Sequence, residues 1–113
     1  MKLYEQFLEE SVTSRVINRV NTEVVNKEMK MKLECYKKWM LHQSPHDNIN
    51  YELCIMRTQI QSIRAGISSA KEGIKMCVDK GCKEEIRAYI LKLADLAMHQ
   101  TKNYIRRKAV ILA

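Results

Sequence analysis

Cys35, His42, His46 and Cys54, followed by Cys77 and Cys82, are the residues of this chain whose types could do chemistry. Cysteine and histidine are zinc ligands. The first four are spaced Cys-x6-His-x3-His-x7-Cys, with no close Cys-x2-Cys pair. On a helix Cys35 and His42 would stand roughly 10 Å apart along the axis, too far for ligands that must lie near 2 Å from one ion. The sequence therefore predicts no metal and no cofactor. His42 and His46 read as exposed loop residues, and His99 as a surface or half-buried helix residue. The cysteines fall in two pairs, each flanking a helix corner. Disulfides 35–54 and 77–82 are geometrically conceivable, but a cytosolic location keeps thiols reduced. Cys35, Cys54 and Cys77 are accordingly expected to be small buried apolar residues. Cys82 differs. At a helix N-terminus between Lys80 and Lys83, its thiol would have a lowered pKa, which makes it the candidate reactive thiol.

No enzyme pattern accompanies these residues. The sequence has no Gly-rich phosphate loop, no Gly-x-Ser-x-Gly and no Glu three residues before a His. Carboxylate-bridged metal bundles and the common nucleophile motifs are thereby unsupported. The expectation is a protein without catalytic activity.

Charge offers a second lead. The 113 residues carry a net charge of +7, with 20 Lys and Arg against 13 Asp and Glu. Residues 1–56 hold eight of each sign, and residues 57–113 hold twelve cations and five anions. Arg57, Arg64 and Lys71 recur every seven residues, with Lys75 one turn on, and no acid lies between Glu52 and Glu72. Arg106, Arg107 and Lys108 add a second cluster near the C-terminus. Such a basic face is a candidate partner surface, and phosphates are one kind of partner it could meet. The bland alternative is a solvated face with charges that favour helix C-termini.

These residues must be positioned by helices. Three Gly and one Pro are too few for the turns of an all-β fold. Ile49, Leu53, Met56, Ile60, Ile63, Ile67, Ala70, Ile74 and Cys77 alternate steps of four and three, a coiled-coil-like seam. Ser62, Gly66, Ala70 and Gly73 lie on or beside it and are the candidate positions for close approach of another helix. Ser44-Pro45-His46-Asp47 supplies a cap, a first-turn proline and an early carboxylate, with Asn48 as a rival cap. Upstream, Val12, Val16, Val20 and Val24 step by four, joined by Leu8, Ile17 and Val25. Polar Ser14, Asn18 and Thr22 break the alternation a strand would need. The apolar face continues through Met29, Leu33, Tyr36 and Met40, with a bend expected near Asn21-Thr22. Downstream, Ile86, Tyr89, Ile90, Leu93, Leu96 and Ala97 form a broad stripe. Gly81 reads as the left-handed residue that ends the second helix.

The fold expected is all-α: one domain of three long antiparallel helices, about 3–41, 45–79 and 83–111, with coiled-coil-like packing. Stripes this wide on so thin a bundle point to a homodimer, with the apolar tail Ala109–Ala113 as a subunit contact. No segment approaches a membrane span and no leader is visible, so the location expected is cytoplasmic. Two functional classes remain. One is a non-catalytic protein-binding regulator (a small chaperone, adaptor or inhibitor) acting on a larger protein partner. The other is a nucleic-acid-binding accessory protein that uses the basic face of residues 57–108.

Overall fold

A computed structural model describes residues 2–41 and 45–112, with the backbone alone for 2–11 and Pro45. The described residues form three helices packed on one another, with no strand: α1 (Lys2–Trp39), α2 (Pro45–Ile74) and α3 (Lys80–Leu112). The molecule extends 63 × 26 × 18 Å, with a radius of gyration of 18.2 Å. A compact chain of this length would have a radius near ~13 Å. An elongated bundle buries less of each helix, so more apolar surface stays outside.

Helix α2 is central. It packs extensively against both α1 and α3, which touch each other sparingly. Its 4-3 seam is what makes this possible. Ile60, Ile63, Ala70 and Cys77 are buried, and Ile49, Leu53, Met56, Ile67 and Ile74 are half-buried. Against α1 the contact runs through small residues. An added Cβ on Gly66 would lie 2.5 Å from Val24 Cγ2, and one on Gly73 would overlap Val16 Cγ1. Ser62 and Ala70 are fully buried. The valines of α1 thus fit where α2 has no side chain in the way. Val16, Val20, Ile63, Ala70, Ile86, Leu93 and Ala97 form one apolar cluster with Cys77 and Cys82.

Polar bonds fix the register. The Ser69 hydroxyl donates to Glu23 at 2.6 Å, tying α2 to α1. The Tyr89 hydroxyl donates to Asn21 Oδ1, tying α3 to α1, and burial pushes its pKa up. Buried Thr58 and Ser62 satisfy their hydroxyls on their own helix, at Cys54 O and Gln59 O, both 2.9 Å away.

The second corner differs from the sequence expectation. Helix α2 ends at Ile74 rather than near 79, and tightens into i→i−3 bonds from Lys75, Met76 and Cys77 to Glu72, Gly73 and Ile74. Helix α3 begins at Lys80 rather than 83, because Asp79 Oδ1 accepts from Cys82 N at 2.6 Å and caps the first turn. Gly81 is therefore a residue of the first turn of α3, not the left-handed end of α2. The Ser44 cap proposed for α2 lies outside the described residues. Helix α1 is continuous through Asn21 and Thr22.

Two glycines consequently have opposite expectations. Gly73→Ala should destabilise by about 1–2 kcal/mol, since Val16 is 2% exposed and its stiff χ1 cannot swing away. Gly81→Ala meets only Asp79 Oδ1 at an ordinary 3.6 Å, so helix propensity should raise stability by up to ~1 kcal/mol. Thermal melts of the two variants check both signs. A stabilised Gly73→Ala would contradict the close contact of α1 with α2.

Candidate functional site

Three features can carry function: the cysteine pairs, the basic face and an exposed apolar stripe on α1.

All four cysteines are paired. Cys35 of α1 is bonded to Cys54 of α2 with a Cα–Cα distance of 5.8 Å, and Cys77 to Cys82 with 5.6 Å. This corrects the expectation of reduced, inert cysteines and of a reactive thiol at Cys82. Cys82 is 7% exposed, its sulfur is bonded, and its place in the third position of α3 turns it toward Cys77. The spacing of each pair about its corner carried the correct signal. The assumption of a reducing compartment set it aside. Among the described residues no cluster of three metal-ligating side chains occurs. His46 stands exposed in the first turn of α2, and His42 lies outside the described residues.

The seven residues of the basic face do not act alike. Arg57, Arg64 and Lys71 are exposed along α2 and make no ion pair among the described residues. Arg57 and Arg64 line a groove of about 220 Å³ between α2 and α3, together with Ile60, Gln61, Thr101 and Tyr104. The Lys108 ammonium lies 6.0 Å from the centre of the Tyr104 ring, on the neighbouring turn of α3, and is not among the residues that line this groove. Arg106 is exposed. Lys75 and Arg107 are engaged elsewhere. Lys75 Nζ lies 3.2 Å from Glu72. Arg107 bonds Glu52 at 2.8 and 2.9 Å, clamping the far end of α3 onto α2. The hydrogen bond and the charge of Glu52 hold that guanidinium still more firmly protonated. The sequence could not show this pair, since 55 residues separate its members.

The four small residues Ser62, Gly66, Ala70 and Gly73 are buried in α2, with Gly66 and Gly73 against the valines of α1. They serve contact within the chain.

The apolar face of α1 departs from its expected course. After Val24 the packed line continues through Cys35, while Val25, Met29, Leu33 and Tyr36 are 51, 65, 53 and 47% exposed. Their steps of four, four and three place them on one side of the helix. Next to them, Lys32 lines a hollow of about 520 Å³ with Tyr51, Glu52, Ile55, Met56 and Gln59. Lys32 is itself bonded to Glu28 at 2.7 Å.

Peptide mapping without reductant should recover linked peptides 35–54 and 77–82, and iodoacetamide should label no cysteine of the oxidised protein. Replacing Cys35 and Cys54 with Ser should lower stability by about 3 kcal/mol, and replacing Cys77 and Cys82 by about 2 kcal/mol, since the second bond closes the shorter loop. Denaturant titrations check the order. A native protein that labels readily at Cys82 would restore the free-thiol reading.

No protein-family model, no curated protein and no solved structure matches this chain.

Proposed function

We propose that the chain is a non-catalytic protein-binding regulator of the chaperone, adaptor or inhibitor kind, which engages a larger partner through a helical surface. The observation that carries this reading is the α1 stripe of Val25, Met29, Leu33 and Tyr36. Four large apolar residues in register on one helix face are a contiguous patch, unlike singly scattered surface residues. Their spacing suits an apolar helix or groove on a partner. The charged neighbours Glu28, Lys30, Lys32 and Lys37 give such a contact a polar rim. Homodimerisation with coiled-coil-like packing belongs to the same reading. The exposed Val110 and Leu112 near the end of α3 offer it further apolar surface.

The basic residues favour a second reading, a nucleic-acid-binding accessory protein. Its support is the three exposed α2 cations Arg57, Arg64 and Lys71, which no acid neutralises among the described residues. No helix among the described residues is long and apolar enough to cross a membrane. The cytoplasmic location read from the sequence would require a local oxidant for the two disulfides, whereas an oxidising compartment would keep them without one.

Met29→Glu with Leu33→Glu tests the first reading. Both residues are more than half exposed, so helicity and melting should hold. Partner capture from a nuclease-treated lysate and self-association measured by light scattering should both fall to background. Equal capture and association by the variant would remove the stripe as the binding surface.

Replacing Arg57, Arg64 and Lys71 together with Gln tests the second reading. Stability should change little, because exposed charges contribute little to it. If nucleic acid is the partner, the salt dependence of binding should flatten by about three in log–log slope. Wild-type protein that binds no nucleic acid at low salt would end this reading.

A further inference from the structure

The two disulfides have different surroundings. Cys77 and Cys82 are each 7% exposed and belong to the main apolar cluster. At the other bond Cys35 is 3% exposed, but Cys54 is half-buried, the least enclosed of the four half-cystines. A groove of about 210 Å³ between α1 and α2 opens on this bond and is lined by both its residues. Lys38, Arg57 and Glu34 also line it, two cations against one carboxylate. Lys38 Nζ lies 5.0 Å from the centre of the Trp39 ring. Arg57 makes no ion pair among the described residues. Thr58, which also lines the groove, has its Oγ1 3.4 Å from Cys35 Sγ while its hydrogen goes to Cys54 O.

We propose that Cys35–Cys54 is an exchangeable disulfide that small, negatively charged thiols reach through this groove, while Cys77–Cys82 is a structural bond. A thiolate enters past Lys38 and Arg57, whose field raises its local concentration and steadies its charge. It attacks Cys54 Sγ, on the less enclosed residue of the pair. A new bond forms between Cys54 and the incoming sulfur, the Cys35–Cys54 bond breaks, and the electron pair leaves on Cys35 Sγ. That thiolate takes a proton from solvent, and the resulting S–H has Thr58 Oγ1 beside it as an acceptor. A second thiolate then attacks the incoming sulfur of the mixed disulfide and releases Cys54. In sum, two thiols of the reductant become its disulfide, and one protein disulfide becomes two protein thiols. The two cations give the site its preference for anionic thiols, and Glu34 opposes it. The proposal is independent of what the α1 stripe binds.

The test uses the oxidised full chain and three monothiols: mercaptoethanesulfonate, mercaptoethanol and cysteamine, which are anionic, neutral and cationic in the group that accompanies the sulfur. Acid quenching, alkylation and peptide mapping give a rate for each cysteine, normalised to thiolate concentration. Cys35 and Cys54 should be freed before Cys77 and Cys82, and the trapped mixed disulfide should sit on Cys54. The anionic thiol should react faster than the cationic one. Arg57→Gln and Lys38→Gln should each lower that ratio about two- to fourfold, Glu34→Gln should raise it, and added salt should compress all these differences. Opening of Cys77–Cys82 first or equally fast, a mixed disulfide on Cys35, or a rate ratio unmoved by the charge variants would each overturn the proposal.

Discussion

The seat of Val16 on Gly73 governs how near α1 can come to α2, and the rest of the bundle is arranged around that contact. Close approach here puts Val16 and Val20 into one cluster with Ala70, Cys77, Cys82 and Ile86. The turn from α2 into α3 closes over the same place. Farther along α2 the residues toward α1 change from Gly73 and Gly66 to Thr58 and Cys54. Cys35 is buried there, yet it stands outside the main cluster. Where the apolar cluster has run out, a covalent bond joins the two helices instead. Between α1 and α2, noncovalent packing at one end and a cross-link at the other are two solutions to the shortage of core that a thin bundle imposes.

The same shortage explains the exposed stripe. Since α1 and α3 both lean on α2 and touch each other sparingly, no third surface is left to cover Val25, Met29, Leu33 and Tyr36. Fully burying a side chain of this kind is worth about 1.5–3 kcal/mol, and these four are each about half covered already, so the row forgoes about 3–6 kcal/mol, a sizeable share of the stability of a small domain. A chain that keeps such a row outside, while using glycine to bring valines inside, treats the two faces of one helix differently. This contrast is why the stripe, more than the total charge, guides the functional reading.

The helices were legible in the sequence because period and composition agree at every level. The 4-3 seam of α2 buries or half-buries all its members, and the small residues read as close-contact positions are buried. Legibility failed where a local signal had a rival. Gly81 and Asp79 both mark the corner between α2 and α3, and the side-chain cap of Asp79 on Cys82 N prevails, drawing Gly81 into the helix. The valine steps of α1 show that it has an apolar face but not which side of a wide face α2 will cover. That is decided by the antiparallel register, which depends on residues in another helix. The bond between Arg107 and Glu52 was hidden for the same reason. It turns one cation of the basic face into a clamp.

The cysteines show a different kind of failure, and they bear on function most directly. Their spacing around the corners matches bonded pairs, and only a reducing location speaks against the bonds. Once both bonds are in place, the four sulfurs no longer compete as ligands or nucleophiles, and the question becomes which bond solvent can reach. Burial answers it. The enclosed pair lies in the main cluster, and the half-open pair lies in a groove beside Lys38 and Arg57. That second bond holds the half of α1 that carries Leu33 and Tyr36. Anything that loosens it acts on the helix with the largest uncovered apolar face. Cross-link and exposed stripe are therefore parts of one mechanical element, the C-terminal half of α1, whose hold on α2 rests on few buried side chains and one covalent bond.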